Sequence, residues 1–245
     1  MNPDRTNQPL DHDLDDYERP AVTVDVVLLS AFDNAFWTLL VRRTEPPFRG
    51  DWALPGGFVR MEESLDEAAA RVLAAKAGLE DLYVEQLYTF GELDRDPRAR
   101  VITVSYYALV DRARFEAVDA VESDRLVGRI AVPWEGETGG PVEVLDDDRQ
   151  PLGIAFDHDE ILGMAVKRLR GKLDYTPVGY QLLPERFTLK QLQTVHETVL
   201  GRPLNKDSFR RRMLASGDLE ATGVRQRDVD HRPAELYRFR RRSAV

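Results

Sequence analysis

Two groups of residues in this chain have types and spacings that could do chemistry, and they lie far apart. The first is the acidic set Glu62, Glu63, Asp66 and Glu67, inside the stretch GFVRMEESLDEAAARVLAAKAGL at residues 57–79. Carboxylates at that density suit Mg²⁺, a hard cation that takes oxygen ligands. They also sit where a helix starts, and negative charge there is stabilised by the helix dipole without a metal. We favour the dipole reading. Around this stretch, Arg43, Arg60 and Arg100 can each offer paired donors to an anion, and Trp52 a ring to stack on. The second group is basic: Lys206, Ser208, Arg210, Arg211 and Arg212, then Arg225, Arg227 and Arg232. Three consecutive arginines are ordinarily a solvated face. They become a reader of guanine edges and phosphates only on a suitable scaffold.

The elements around these residues can be read from pattern. Residues 21–31 and 36–41 are β-branched and aromatic runs, and Asp33-Asn34 between them signals a hairpin. A loop rich in Pro, Gly and charge follows at 42–57. Ser64 with Glu67 makes a capping box for a helix whose apolar face is Leu65, Ala68, Ala69, Val72, Leu73 and Ala75. Gly78 is placed to end it. Residues 83–90 and 101–110 read as strands. Residues 142–145 and 154–156 read as a hairpin. A helix over 157–173 is expected to open on a second capping box, Asp157 with Glu160. After a joining segment at 174–186, Thr188 caps a helix with Leu189, Leu192, Val195 and Val199 on one face, ended by Gly201. The turn RPLN leads to a short helix at 207–215, with Phe209, Met213 and Leu214 inward. Residues 219–223 and 236–239 can pair as a β-ribbon. Helix, turn, arginine-bearing helix and ribbon is the order of a winged helix-turn-helix, whose second helix enters the major groove.

Charge supports two units with different partners. The chain carries a net −9, yet residues 186–245 hold 14 Lys and Arg against 7 Asp and Glu. That segment is therefore +7 and the rest −16. With no cysteine, disulfides and thiolate metal sites are excluded, which fits a reducing cytoplasm. No apolar run approaches the roughly 18 residues that a bilayer span needs, so a membrane partner is not expected. The first 20 residues are acidic and polar, unlike a secretory leader, and read as a disordered tail.

WALPGGFV at 52–59, running into a frame of Gly57, Glu63, Arg71, Leu73, Gly78 and Leu79, resembles the Nudix box. Its pattern is Gly, five residues, Glu, seven residues, then Arg-Glu-aliphatic-x-Glu-Glu-x-Gly-aliphatic. The resemblance implies a mixed sheet packed between helices, and hydrolysis of nucleoside diphosphates with Mg²⁺ held by box glutamates. Here the three acidic places after the arginine are Val72, Ala75 and Lys76. None of these is a Mg²⁺ ligand. A lysine beside a dication is repelled by about 4 kcal/mol per unit charge at ~4 Å and an effective dielectric near 20. Catalytic residues, metal and cofactor are therefore all expected to be absent. Gly57, Glu63, Arg71 and Gly78 remain as a structural frame, and Arg43, Trp52, Arg60 and Arg100 are the candidate contacts to the diphosphate or base that the resemblance implies.

FTLKQLQTVHETVLGRPLNKDSFRRRML at 187–214 and RPAELYRF at 232–239 resemble the C-terminal domain of Nudix-related transcriptional regulators, the NrtR-like family. QLYTFGELDRDPRARVITVSYYALV at 86–110 resembles their Nudix half. The class expected is α+β: a Nudix-like sensor at 21–173, then a winged helix-turn-helix at 174–245. The resemblance implies a homodimeric repressor of NAD-related or other nucleotide or sugar metabolism genes that binds a double-stranded DNA operator and responds to ADP-ribose or an NAD-related nucleotide. The competing readings are a working Nudix hydrolase with a basic tail, and an adaptor that uses the winged domain without DNA.

Overall fold

The computed structural model describes residues 17–80, 82, 84–119, 124–173, 176–226 and 232–240. Arg227, the acidic tail through residue 16, Tyr83 and residues 174–175 of the joining segment lie outside the described residues. The chain opens with β1 (Ala21–Phe32) and β2 (Ala35–Arg42). Phe32 pairs with Ala35, and Asp33 and Asn34 take φ of 51° and 55°. Both central residues at positive φ make the tight turn whose twist matches a hairpin, which is why Asp-Asn suits it. Short strands β3 (Trp52–Ala53) and β4 (Gly56–Phe58) pair with β2 and β1, respectively.

Helix α1 (Leu65–Ala77) has both capping-box bonds between Ser64 and Glu67, and Gly78 closes it at φ 66°. A left-handed residue there lets the last carbonyls be satisfied, and glycine adopts it without a Cβ clash. Then come β5 (Val84–Phe90), β6 (Val101–Leu109), α2 (Arg112–Asp119), β7 (Arg125–Ala131), β8 (Glu143–Leu145) and α3 (His158–Lys172). The order across the main sheet is β5-β6-β1-β2-β7-β8, with β1 and β6 parallel and the other pairs antiparallel. Both faces of β1 are covered, so its middle is a continuous buried run. Val24, Val26 and Leu28 face α1 and α2. Val27, Leu29 and Ala31 face α3.

A 3₁₀ helix (Pro177–Leu182) leads into α4 (Leu189–Leu200), α5 (Lys206–Ala215), β9 (Leu219–Arg225) and β10 (Glu235–Phe239). Thr188 and Gln191 form a capping box, and Gly201 ends α4 at φ 68°. Phe187 bridges to Tyr237 through both backbone bonds, adding a third segment to the β9–β10 ribbon. One apolar core runs unbroken from the sheet through α3 and α4 to Phe209, Met213, Leu219 and Tyr237.

Several expectations need correction. Ala75, expected on the apolar face of α1, is exposed. The expected loop at 42–57 contains the short strand β3 and the start of β4. Asp157 makes no capping bond to α3, because its carboxylate is taken by Arg95. Residues 142–145 and 154–156 do not form a hairpin. Leu145 bridges to Pro151, while Ile154 runs parallel to Trp52. Leu214 is 44% exposed and does not face inward with Phe209 and Met213. Helix α2 and strand β7, neither of them expected, are short and flank residues outside the described set.

Candidate ligand cleft and nucleic-acid interface

A cleft of about 270 Å³ opens where the loop after β2, β4, the loop after β5 and the start of α3 meet. Its floor is a buried charge network. Arg95 donates to both oxygens of Asp157, at 2.8 and 2.7 Å, and lies 3.6 Å from Asp25. The Nδ1 of His158 accepts the Leu54 N–H at 2.9 Å. Burial pushes the His158 imidazole below its ordinary pKa. It is therefore neutral, with its other nitrogen 3.7 Å from Asp25. Gly56 lies directly over this floor; a Cβ there would sit 2.1 Å from the Asp25 carboxylate.

The wall is made of arginines on aromatic rings. The guanidinium of Arg43 lies 4.6 Å from the Phe156 ring centroid, and that of Arg98 lies 5.8 Å from the same ring and 5.8 Å from Phe58. Phe48 meets Phe156 edge-on at 4.9 Å. Arg43 is oriented by the carbonyls of Pro47 and Glu45, and Arg98 by the Asp96 carboxylate at 2.6 Å. That bond holds Asp96 below the usual carboxylate range. Burial, then the charge of Arg98, lowers the Arg43 pKa. Two guanidiniums beside one ring give the cleft a pair of cations that an anion can offset. Phe156 and Phe48 have φ of 59° and 63°. For a non-glycine residue that costs about 1–2 kcal/mol and marks a place where the surroundings over-determine the backbone.

Of the four contacts expected from sequence, Arg43 lines this cleft. Trp52 is half-buried against the main core with Arg42 over its ring, Arg60 is exposed, and Arg100 donates to the Glu92 carbonyl. Arg98, Phe156 and His158 were missed. Arg98 is one of several arginines in DRDPRAR, and Phe156 was read only as the end of a short strand.

The box residues are engaged with one another. Arg71 donates to both Glu63 oxygens, at 2.8 and 2.6 Å, and to the Phe58 carbonyl at 3.0 Å, tying loop to helix. Those bonds draw the Glu63 carboxyl down to about 2. Asp66 accepts the Tyr106 hydroxyl at 2.7 Å, and Glu67 accepts the Ser64 N–H. Gly57 packs 3.4 Å from Val72, measured from an ideal Cβ. Lys76 lines the cleft, whereas Val72 is buried in the core. Among the described residues no three His, Asp or Glu side chains are grouped to hold a metal ion.

In the basic segment, Asn205 caps α5 by accepting the Ser208 N–H. Phe209 and Met213 anchor the helix, and Lys206, Ser208, Arg210, Arg211 and Arg212 are exposed. Arg225 is exposed at the end of β9.

Residues 19–128 match the model of the NUDIX domain, and residues 179–239 match that of the NrtR DNA-binding winged helix domain. The ADPR responsive transcriptional repressor NtrR of Acinetobacter baylyi is 37% identical over 227 residues, covering 91% of this chain and 84% of that one. The chain belongs to the NrtR family. A crystal structure of Shewanella oneidensis NrtR complexed with a 27mer DNA is 38% identical, with a TM-score of 0.75 over 89% of this chain and 93% of that chain. An ADP-ribose pyrophosphatase of Methanocaldococcus jannaschii is 32% identical over 60% of this chain and 73% of its own. The two-domain order of the NrtR family thus extends over most of the chain, whereas the pyrophosphatase matches a smaller part. Among the described residues no helix is long and apolar enough to cross a membrane.

Proposed function

We propose that this chain is an ADP-ribose-responsive transcriptional repressor, with its sensor at 21–173 and its DNA-binding unit at 174–245. One observation carries the reading. Arg43 and Arg98 converge on Phe156 in a cleft that shares a core with a helix whose exposed face is arginine. The diphosphate of the nucleotide sits between the two guanidiniums, and an aromatic wall suits its adenine. Lys206, Ser208, Arg210, Arg211 and Arg212 meet the major groove, and Arg225 at the end of β9 and Arg227, two residues on in sequence, meet the backbone. The protein works in the cytoplasm as a homodimer, so its operator has two half-sites.

The sensor is not a hydrolase in this reading. The Nudix reaction needs Mg²⁺ on several carboxylates, and the residues present do not fit it. Glu63 is committed to Arg71, Asp66 to Tyr106 and Glu67 to Ser64, while Lys76 brings positive charge into the cleft.

The test is a titration of DNA selected by this protein from a random pool, with and without ADP-ribose. The expected result is tight, salt-dependent binding that the nucleotide changes. An affinity indifferent to ADP-ribose would remove the sensor claim. Mg²⁺-dependent turnover of ADP-ribose at an ordinary enzymatic rate would restore the hydrolase reading.

A further inference from the structure

We propose that Arg170 couples the ligand cleft to the winged helix: α3 carries a displacement from one to the other, and the Arg170 guanidinium hands it to the C-terminal end of α4. The inference rests on the repressor reading and adds its route of regulation.

Helix α3 has one end in each functional region. Phe156 and His158 at its start line the cleft, where Arg95 grips Asp157 and the Leu54 N–H binds His158. Arg170 lies in its last turn. Between them are twelve residue steps, or about 18 Å at ~1.5 Å per residue. Ile161, Leu162, Ala165, Val166 and Leu169 along that span are all 0% exposed. A helix packed along one side by a close-packed core moves as a unit, because its buried face has little room to take up a shift.

Arg170 is 5% exposed, and its Nε donates to the Val199 carbonyl at 2.8 Å. Its Nη1 donates to the carbonyls of Gly136 and Trp134, at 2.9 and 3.2 Å, and the guanidinium lies 4.8 Å from the Trp134 ring. Among the described residues no carboxylate forms a salt bridge with it. Its charge is matched to one carbonyl at the negative end of the α4 dipole, that of Val199, and to two in the loop at 134–136. The buried cation thus supplies a missing hydrogen-bond partner at a helix terminus that belongs to the DNA-binding unit. A ligand moves this linkage only by favouring one position of α3 over another. The parts that feel the ligand are Phe156, at positive φ, and the Asp157–Arg95 pair beneath it.

The experiment uses the full chain as wild type, Arg170→Met and Arg170→Lys. Three quantities are measured: ADP-ribose binding to the protein alone, affinity for the selected DNA without nucleotide, and the ratio of the higher to the lower DNA affinity among those measured with and without saturating ADP-ribose. Arg170→Met keeps the apolar stem and removes the donors. The expected result is nucleotide binding within about threefold of wild type and a roughly tenfold smaller ratio, within the usual range of coupling energies. Arg170→Lys recovers part of the ratio, since an ammonium still donates to Val199. A purely structural role would lower thermal stability and leave the ratio as in wild type; that outcome overturns the proposal. If Arg170→Met does not fold, the ratio in Arg170→Lys decides on the same terms. A wild-type ratio of one removes the effector reading and this inference together. A wild-type ratio above one that survives in both variants removes this inference alone.

Discussion

Replacing Gly163 with alanine sets two effects of known sign against each other on α3. Alanine is favoured over glycine within a helix by ~1 kcal/mol. Against this, a Cβ at 163 would lie 1.8 Å from the Gly140 carbonyl oxygen and 2.9 Å from its carbon. Ordinary contact begins near 3.4 Å, so the backbone must yield by about 1.6 Å. The obstacle is main chain in a loop pinned by Trp134, whose indole donates to Gly140 and Pro141, and by Lys167 on Thr138. Overpacking costs ~1–3 kcal/mol, and an unyielding backbone places this site toward the top of that range. Steric conflict therefore wins, and Gly163→Ala should lose roughly 1–2 kcal/mol. Gly171, on the same helix, is the control. A Cβ there meets only the carboxylate end of Glu137 at 2.9 Å, which can rotate away, so Gly171→Ala should be neutral or gain up to ~0.5 kcal/mol. Urea unfolding followed by circular dichroism reads both as midpoint shifts at constant slope. A Gly163→Ala protein as stable as wild type would refute the close approach of the 134–141 loop to α3.

Phe156→Ala removes the ring shared by Arg43 and Arg98 and should weaken ADP-ribose binding about tenfold, in line with ~1–2 kcal/mol for a desolvated cation–π contact; calorimetry on the protein without DNA checks this. Arg210→Ala and Arg211→Ala should each weaken DNA binding and lower the slope of log affinity against log salt by about one wherever a phosphate contact is lost. Unchanged affinity in the double variant would reject α5 as the reading helix. The Glu63 carboxyl is depressed to about 2 by Arg71. Its stabilising contribution is therefore complete above an unfolded value near 4.3 and disappears as pH falls toward 2. The stability difference between wild type and Glu63→Gln should accordingly shrink across that window. His158 is also depressed, by burial, so acidification below about 6.5 should destabilise the fold through it first.

Much of the architecture was readable because local signals and burial agree. Asp33-Asn34, the Ser64–Glu67 and Thr188–Gln191 boxes, and Gly78 and Gly201 each act within four residues of the backbone they shape. Asp157–Glu160 has the same spacing but failed as a box. A buried arginine 62 residues away competes for the aspartate, and a charge-assisted pair out of water outbids a capping bond.

From the sequence alone come the two-part organisation, the opposite charges of the parts, the altered box and the exposed arginines of α5. All of these depend on composition or on spacing within one element. The tertiary structure decides which arginines meet. Arg43, Arg60, Arg98 and Arg100 are alike in sequence, yet Arg43 and Arg98 converge on Phe156 while Arg60 and Arg100 do not line the cleft. It also decides that Arg170, on paper another basic residue of a helix, is buried at the end of α4. Convergence of side chains from distant loops, and the burial of a charge by a neighbouring helix, are set by packing across the whole core. No local pattern encodes them.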